Sequence, residues 1–377
     1  MEETSKYINI ISFTEKGEAL AKRLSAYLFQ SQQKDQADCE CDRDLVKCIS
    51  KCRASKSYSA IRLSECAKES FGKKQGMIFI GAAGIAVRTI APFLKDKLHD
   101  PFVIVIDENG DYVIPILSGH VGRANEYARK IAAFLNAQAV ITTATDVSHC
   151  FAADLFAQKN NYVIQNKEGI ARVSAKTLAH QNVTVRCGNR LVTLSFEGTV
   201  LKEESIEQSE KESEKKQISD QSVPEKEADI IISPFIQDGK KGSLWLVPRC
   251  IVVGVGCRRK KEAALIKQTI CERLAQSGIA KEAVCQITSI DRKKDEAGLI
   301  ETAADFNVEF VTFTEEKLRQ VPGNFSSSAF VEKTVGVDNV CERSAMAAAP
   351  QGILLARKYA KDGVTVAIAM HTFFPVF

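Results

Sequence analysis

Three times along the chain a short apolar run ends on a glycine-rich turn and gives way to helical spacing. Residues 77–80 lead into GAAGIAVR (81–88), residues 112–117 into SGHVGRAN (118–125), and residues 251–255 into the turn of GVGCRRK (254–260). After the second turn, Ala124, Tyr127, Ala128, Ile131, Ala132 and Leu135 follow the spacing of a helix with one apolar face. After the third, Ala263, Ala264, Ile266, Ile270 and Leu274 do the same. A chain that keeps switching between these periods is constrained to an α/β fold, with helices laid on mostly parallel sheets. The same feature places a ligand. Open sheets of this kind bind at the carboxyl ends of their strands, where helix N-termini present unpaired N–H groups, so an anionic ligand is implied.

The alternation falls into three blocks. Residues 1–150 read as an N-terminal α/β domain: a strand at 7–13, helices at 16–29 and 61–71, and a strand at 77–80. FVIVID (102–107) and YVIPIL (112–117) then pair as an antiparallel hairpin through Asn109-Gly110, before the helix at 123–135 and renewed strand character in AVITTATDV (139–147). The polar, cysteine-bearing stretch 31–56 reads as an irregular insert. Residues 151–248 read as a small middle domain with helices near 152–159 and 170–179 and strands in VTVRC, LVTLSF, DIIISPF and SLWLVPRC. A charged run at 202–227 interrupts it and is too polar to bury a core. Residues 249–377 read as a C-terminal α/β domain whose first strand stops at Gly256 and whose last two strands close as a hairpin across Asp362-Gly363.

Two or three such domains suit 377 residues. The 51 Lys and Arg against 47 Asp and Glu leave a net charge of only +4, and the basic pairs are scattered without interleaved aromatics. Nucleic acid is therefore not an expected partner. Neither is a membrane, because the longest apolar stretch, 77–87, is far short of a bilayer span and the N-terminus lacks a signal-peptide pattern. A cytoplasmic location is expected, with the 12 cysteines as free thiols. Cys39, Cys41, Cys48, Cys52 and Cys66 cluster, but their spacing fits neither a zinc ribbon nor a common iron–sulfur run.

The dinucleotide fingerprint is missing, since Arg259 stands where GVGCRR would need its third glycine, and no G-K-[ST] follows a glycine loop. Glycine at these turns can serve backbone geometry alone. What adds chemistry is their company: Arg88, His120, Asn125, Arg258 and Arg259 all lie close to a glycine. Thr143 and Asp146 sit in a hydroxyl-rich strand end that could equally be a helix cap. Asp291 ends a strand and Glu342 lies early in a helix, whereas Asp295 and Glu296 read as caps and His371 as packing. His120, held between two glycines, is open to both a catalytic and a capping role.

Several long motifs occur together in one order. FIGAAGIAVRTIAPFLKDK, DPFVIVIDENGDYVIPILSGHVGRANEYARKIA and AVITTATDV, followed by VVGVGCRRK and VGVDNVCERSAM, resemble the CbiG family, the cobalt-precorrin-5A hydrolases of anaerobic cobalamin biosynthesis. The resemblance covers most of the chain outside 31–56 and 202–227. It implies an N-terminal domain, a smaller middle domain and a CobE-like C-terminal domain. It also implies a reaction, in which water opens the ring A δ-lactone of cobalt-precorrin-5A and acetaldehyde leaves to give cobalt-precorrin-5B. Many relatives carry glycine where this chain has Arg123, so the turn there need not have the most permissive backbone.

With that chemistry in view, His120 is assigned as general base and Asp146 as its partner or as handler of the second proton. Backbone N–H groups at 82–84 or 119–122 are candidates for an oxyanion hole. Gly81, Ala82, Ala83, Gly84, Arg88, Ser118, Gly119, Gly122, Asn125, Thr143, Arg258, Arg259, Asp291 and Glu342 are the expected substrate contacts, the arginines facing its carboxylates. The cobalt arrives inside the tetrapyrrole substrate, so neither a cofactor nor a protein metal site is required. A non-catalytic corrinoid carrier built on the same turns is the alternative, and a homodimer is left open.

Overall fold

The computed structural model describes residues 7–34, 46–96, 99–120, 122–205, 228–237, 242–327 and 336–377. Cys39, Cys41 and most of the charged run (206–227) lie outside them. The chain divides into two compact units, 1–149 and 150–377. Among the described residues, no helix is long and apolar enough to cross a membrane.

The first unit runs β1 (Ile8–Ser12), α1 (Glu15–Lys34), β2 (Val46–Ser50), α2 (Leu63–Gly72), β3 (Gly76–Ile80), α3 (Ala83–Ile90), β4 (Val103–Ile106), β5 (Tyr112–Leu117), α4 (Ala124–Leu135), β6 (Gln138–Ala139) and α5 (Ala144–Val147). Its sheet has the order β2-β1-β3-β4-β5-β6. The first four of these are mutually parallel; β5 runs antiparallel to β4, and β6 runs parallel to β5. Ile8, Ile10, Ile78, Ile80, Ile104 and Ile106 pack beneath α1 and α4. Ile11, Met77, Phe79, Val103 and Val105 pack beneath α2 and α3 on the other face. Strands buried on both faces explain why these runs are apolar at every position rather than at every second one.

Two expectations need correction in this unit. The stretch 31–56 is not wholly irregular, because β2 pairs in register with β1 from Ile8↔Val46 to Ser12↔Ser50. Its polar look comes from its place at the sheet edge, where Lys47 and Cys48 are exposed. AVITTATDV is not a full strand either, since β6 has two residues and the chain turns into α5. Val140 donates its N–H to the Val113 carbonyl at 2.9 Å, after which a parallel ladder needs a donor from residue 115. That residue is Pro115, which has none, so the pairing stops.

The second unit contains α6 (Ala153–Lys159), β7 (Tyr162–Ile164), α7 (Lys167–Leu178), β8 (Val183–Cys187), β9 (Arg190–Leu194), β10 (Val200–Ser205), β11 (Ile230–Ile232) and β12 (Leu244–Pro248), and then β13 (Ile251–Cys257), α8 (Ala263–Gln276), β14 (Val284–Ile290), α9 (Ala297–Phe306), β15 (Glu309–Phe313), α10 (Glu315–Gln320), α11 (Cys341–Ala348), β16 (Ile353–Lys361) and β17 (Val364–Met370). It holds two sheets, β10-β9-β8-β11-β12-β7 and β15-β14-β13-β17-β16. Val247 and Cys250 share one apolar cluster with Ile251, Ile266, Leu299 and Ile368, which ties the two sheets into one unit.

β13 does not stop at Gly256 but continues to Cys257, paired with β17 along its whole length. Gly254 is therefore a packing glycine inside a strand. A Cβ there would lie 1.9 Å from the Cys341 carbonyl oxygen of α11.

Candidate active site

His120 sits in a turn whose described residues are tied down by hydrogen bonds and close packing. Ser118 leaves β5 in the left-handed region, at φ 55°, and its hydroxyl donates to the Asp100 carbonyl at 2.8 Å. A Cβ on Gly122 would come 2.5 Å from the Ser118 Cβ, and one on Gly119 2.9 Å from Asn125 Oδ1, so both positions require glycine. The N–H groups of Arg123, Ala124 and Asn125 donate to the carbonyls of His120, Ser118 and Gly119 at 2.8, 3.2 and 3.0 Å. Arg123 itself has φ 65°. This corrects the expectation for that position: the backbone is still the left-handed one that glycine favours, at a cost of roughly 1–2 kcal/mol for an L-residue.

The turn aims the imidazole at α5. His120 Nε2 lies 2.6 Å from Asp146 Oδ2, and the two side chains are 11% and 12% exposed. Asn125 Nδ2 donates to the same carboxylate oxygen at 2.8 Å and to Thr143 Oγ1 at 2.9 Å. Arg129 Nη2 donates to the other oxygen, Oδ1, at 2.6 Å. Thr145 Oγ1 stands 3.3 Å from His120 Nε2. Burial alone would raise the Asp146 pKa, but hydrogen bonds from Arg129, His120 and Asn125 outweigh it and hold the carboxyl below its usual range. An ionised Asp146 selects the tautomer with the proton on Nε2, which makes Nδ1 the basic nitrogen of the ring.

Asp146 should therefore stabilise the fold in a pH-dependent way. A carboxyl whose folded-state pKa is depressed contributes its full stability above the unfolded value, 3.8 here, and loses it as pH falls from there through the folded value. Acid titrations followed by circular dichroism should show a shallower loss of stability below about pH 4 in Asp146→Asn than in the wild type. Identical acid limbs would count against the ionised carboxylate.

The other predicted contacts are not brought to this cluster as a group. Gly81, Ala82, Ala83 and Gly84 precede and open α3, at the carboxyl end of β3, with the Arg88 guanidinium folded back to the Gly84 carbonyl at 3.3 Å. The antiparallel course of β5 puts 118–125 at the opposite end of the strands, where Leu117 pairs with Val103 at the start of β4. Along the strands the two turns are separated by at least the length of β4, roughly 10 Å. The two glycine motifs thus mark opposite ends of the strands, not one loop cluster.

In the second unit Arg258 and Arg259 are exposed past the end of β13. Arg259 lines a cavity of about 590 Å³ with Lys260, Lys261, Arg292, Asp295 and Glu296. Asp291 opens the turn after β14 and is half-buried. Glu342 is fully buried, and its carboxylate accepts from Ser326 N at 2.8 Å, Ser326 Oγ at 2.7 Å and Lys358 N at 2.7 Å. This corrects its expected role: Glu342 braces residue 326 against β16, and its oxygens are taken by the protein's own donors. Among the described residues, no group of three His, Cys, Asp or Glu is arranged to hold a metal ion.

Comparison with known proteins places this geometry. Residues 65–146 match the family model described as Cobalamin synthesis G N-terminal, and residues 251–369 match Cobalamin synthesis G C-terminus. The chain is 36% identical over 307 residues to a cobalt-precorrin-5A hydrolase of Salmonella typhimurium, covering 81% of this chain and 84% of that one. The chain belongs to the CbiG family. Another member, a cobalt-precorrin-5A hydrolase of Priestia megaterium, is 33% identical over 307 residues, 80% of this chain and 79% of that one. A crystal structure of a cobalamin biosynthesis protein G homologue from Sulfolobus solfataricus aligns with 98% of this chain and 99% of that one at 22% identity and a TM-score of 0.34. The CbiG N-terminal match ends on Asp146 and so contains the whole His120 cluster.

Sequence reasoning missed two members of that cluster, Arg129 and Thr145. Arg129 follows Asn125 by four residues, one turn along α4, so both reach the same carboxylate. That spacing was a usable signal.

Proposed function

We propose that this chain is a cobalt-precorrin-5A hydrolase, opening the ring A δ-lactone with water and releasing acetaldehyde to give cobalt-precorrin-5B. The observation that carries the proposal is the His120–Asp146 pair, at 2.6 Å, inside a chain 36% identical to a hydrolase of that name over 84% of its length. In the first step His120 Nδ1 takes a proton from water as the oxygen attacks the lactone carbonyl. Asp146, fixed by Arg129 and Asn125, stabilises the imidazolium that forms. Collapse breaks the acyl C–O bond, leaving a carboxylate on ring A and an alcohol on the two-carbon fragment. Removal of the alcohol proton then drives cleavage of its carbon–carbon bond. The electron pair and a proton go to the macrocycle, and acetaldehyde departs.

The separation of the two glycine turns restricts the assignment of the oxyanion donors. The N–H groups of Arg123, Ala124 and Asn125 are taken by backbone carbonyls, so the donors nearest His120 are those of 119–122, and the 81–84 turn serves the substrate periphery instead. Incubating the purified chain with cobalt-precorrin-5A should release acetaldehyde in equimolar amount with the ring-opened product. Binding with a spectral change and no acetaldehyde would identify a carrier and overturn the hydrolase assignment.

A further inference from the structure

The second unit holds an apolar groove that the reaction scheme leaves unused. It is about 490 Å³ in volume and lies between the β8–β9 turn (Cys187, Arg190) and the ends of the last hairpin (Ile353, Met370, His371, Phe374). Ile353 and Phe374 are 56% and 67% exposed, so two large apolar side chains stand in solvent at its mouth. Apolar side chains that line a groove open to solvent leave room for a ligand. The Arg190 guanidinium covers the Phe374 ring at 5.9 Å and is paired with Glu203, which closes one rim. His371 is held by its backbone, whose N–H donates to the Cys250 carbonyl at 2.8 Å. Its imidazole makes no hydrogen bond or ion pair with any described residue. The neighbouring Cys187 thiol is pushed up to about 11 by burial and stays protonated at neutral pH, so it offers no competing thiolate.

An imidazole with no protein partner in an aromatic-lined groove has nothing to offer a hydrocarbon. It suits a flat conjugated ring that carries a metal, because phenyl faces stack on such a ring and neutral imidazole is a ready ligand for cobalt. We propose that this groove is a second corrinoid-binding site, in which a ring nitrogen of His371 takes an axial position on the cobalt of the tetrapyrrole. The step is a ligand exchange. A cobalt–nitrogen bond forms, a cobalt–water bond breaks, water leaves, and no electron is transferred. The groove covers one face of the macrocycle and leaves the other open.

The inference rests on the reading that the substrate is a cobalt corrinoid, and its test is kept separate from that reading. Cobinamide, a cobalt corrinoid with water in its axial positions, is titrated into the full chain while the visible spectrum is recorded. The wild type should bind it with the band shift of imidazole coordination. His371→Phe keeps the aromatic bulk and should lose the shift and raise Kd by roughly tenfold or more, the scale on which metal sites respond to lost ligand support. A shift that survives in His371→Phe assigns the ligand to another histidine and overturns the proposal, as does a wild type that binds cobinamide without a shift or not at all. Acetaldehyde release by the wild type, measured on the same preparation, reads the hydrolase assignment on its own.

Discussion

Replacing His120 by alanine should lower acetaldehyde release from cobalt-precorrin-5A by roughly 10²–10⁴-fold, the contribution of a positioned general base. The substitution removes the imidazole but spares the turn, whose hydrogen bonds are made by the backbone of residues 118–125 and by Ser118 and Asn125. The fold should therefore survive, and circular dichroism checks that it does. Asp146→Asn should also lower release, by up to roughly 10⁴-fold, because the tautomer that leaves Nδ1 basic is no longer enforced. Near-normal release by His120→Ala would leave the residue as a capping group and remove the base from the scheme.

The largest stability effect is expected at Gly254. Its added Cβ in Gly254→Ala would sit 1.9 Å from the backbone oxygen of Cys341, with the Ala345 amide nitrogen 2.9 Å away. No rotamer can relieve a clash between a strand and a helix backbone, so α11 must move off the sheet. Overpacking of this kind costs about 3 kcal/mol, which in a unit of this size lowers Tm by roughly 6–12 °C. Gly242→Ala meets no atom within 4 Å and serves as the neutral control. Equal melting temperatures for the two variants would mean that α11 does not rest on Gly254 as described.

The fold class was legible because the parallel strands are buried on both faces. Runs such as MIFI and VIVI then show no alternation, while α4 shows its apolar stripe clearly. Edge strands were harder, since β2 and β10 keep polar side chains in solvent and lose the apolar signature. At the site, the types of His120, Asn125, Thr143 and Asp146 were visible in the motifs, and the structure joins them through one carboxylate. Grouping them with Gly81–Gly84 failed for a topological reason. A glycine turn after a strand looks the same in sequence whichever way the strand runs, and the hairpin at Asn109-Gly110 reverses β5. Glu342 illustrates a different limit. Acid residues early in helices serve ligands and internal braces alike, and only its burial separates the two.

Pro115 acts on the geometry of the His120–Asp146 pair without touching it. By withholding one N–H it terminates β-pairing two residues into β6, and the released segment curls within four residues into the short helix that bears Asp146. A chain that could go on zipping along β5 would carry the carboxylate out along the sheet edge, its side chain alternating from face to face with the pleat. The encounter of acid and imidazole is thus set by an imino acid that belongs to neither, and their hydrogen bond is inherited from where a ladder runs out of rungs.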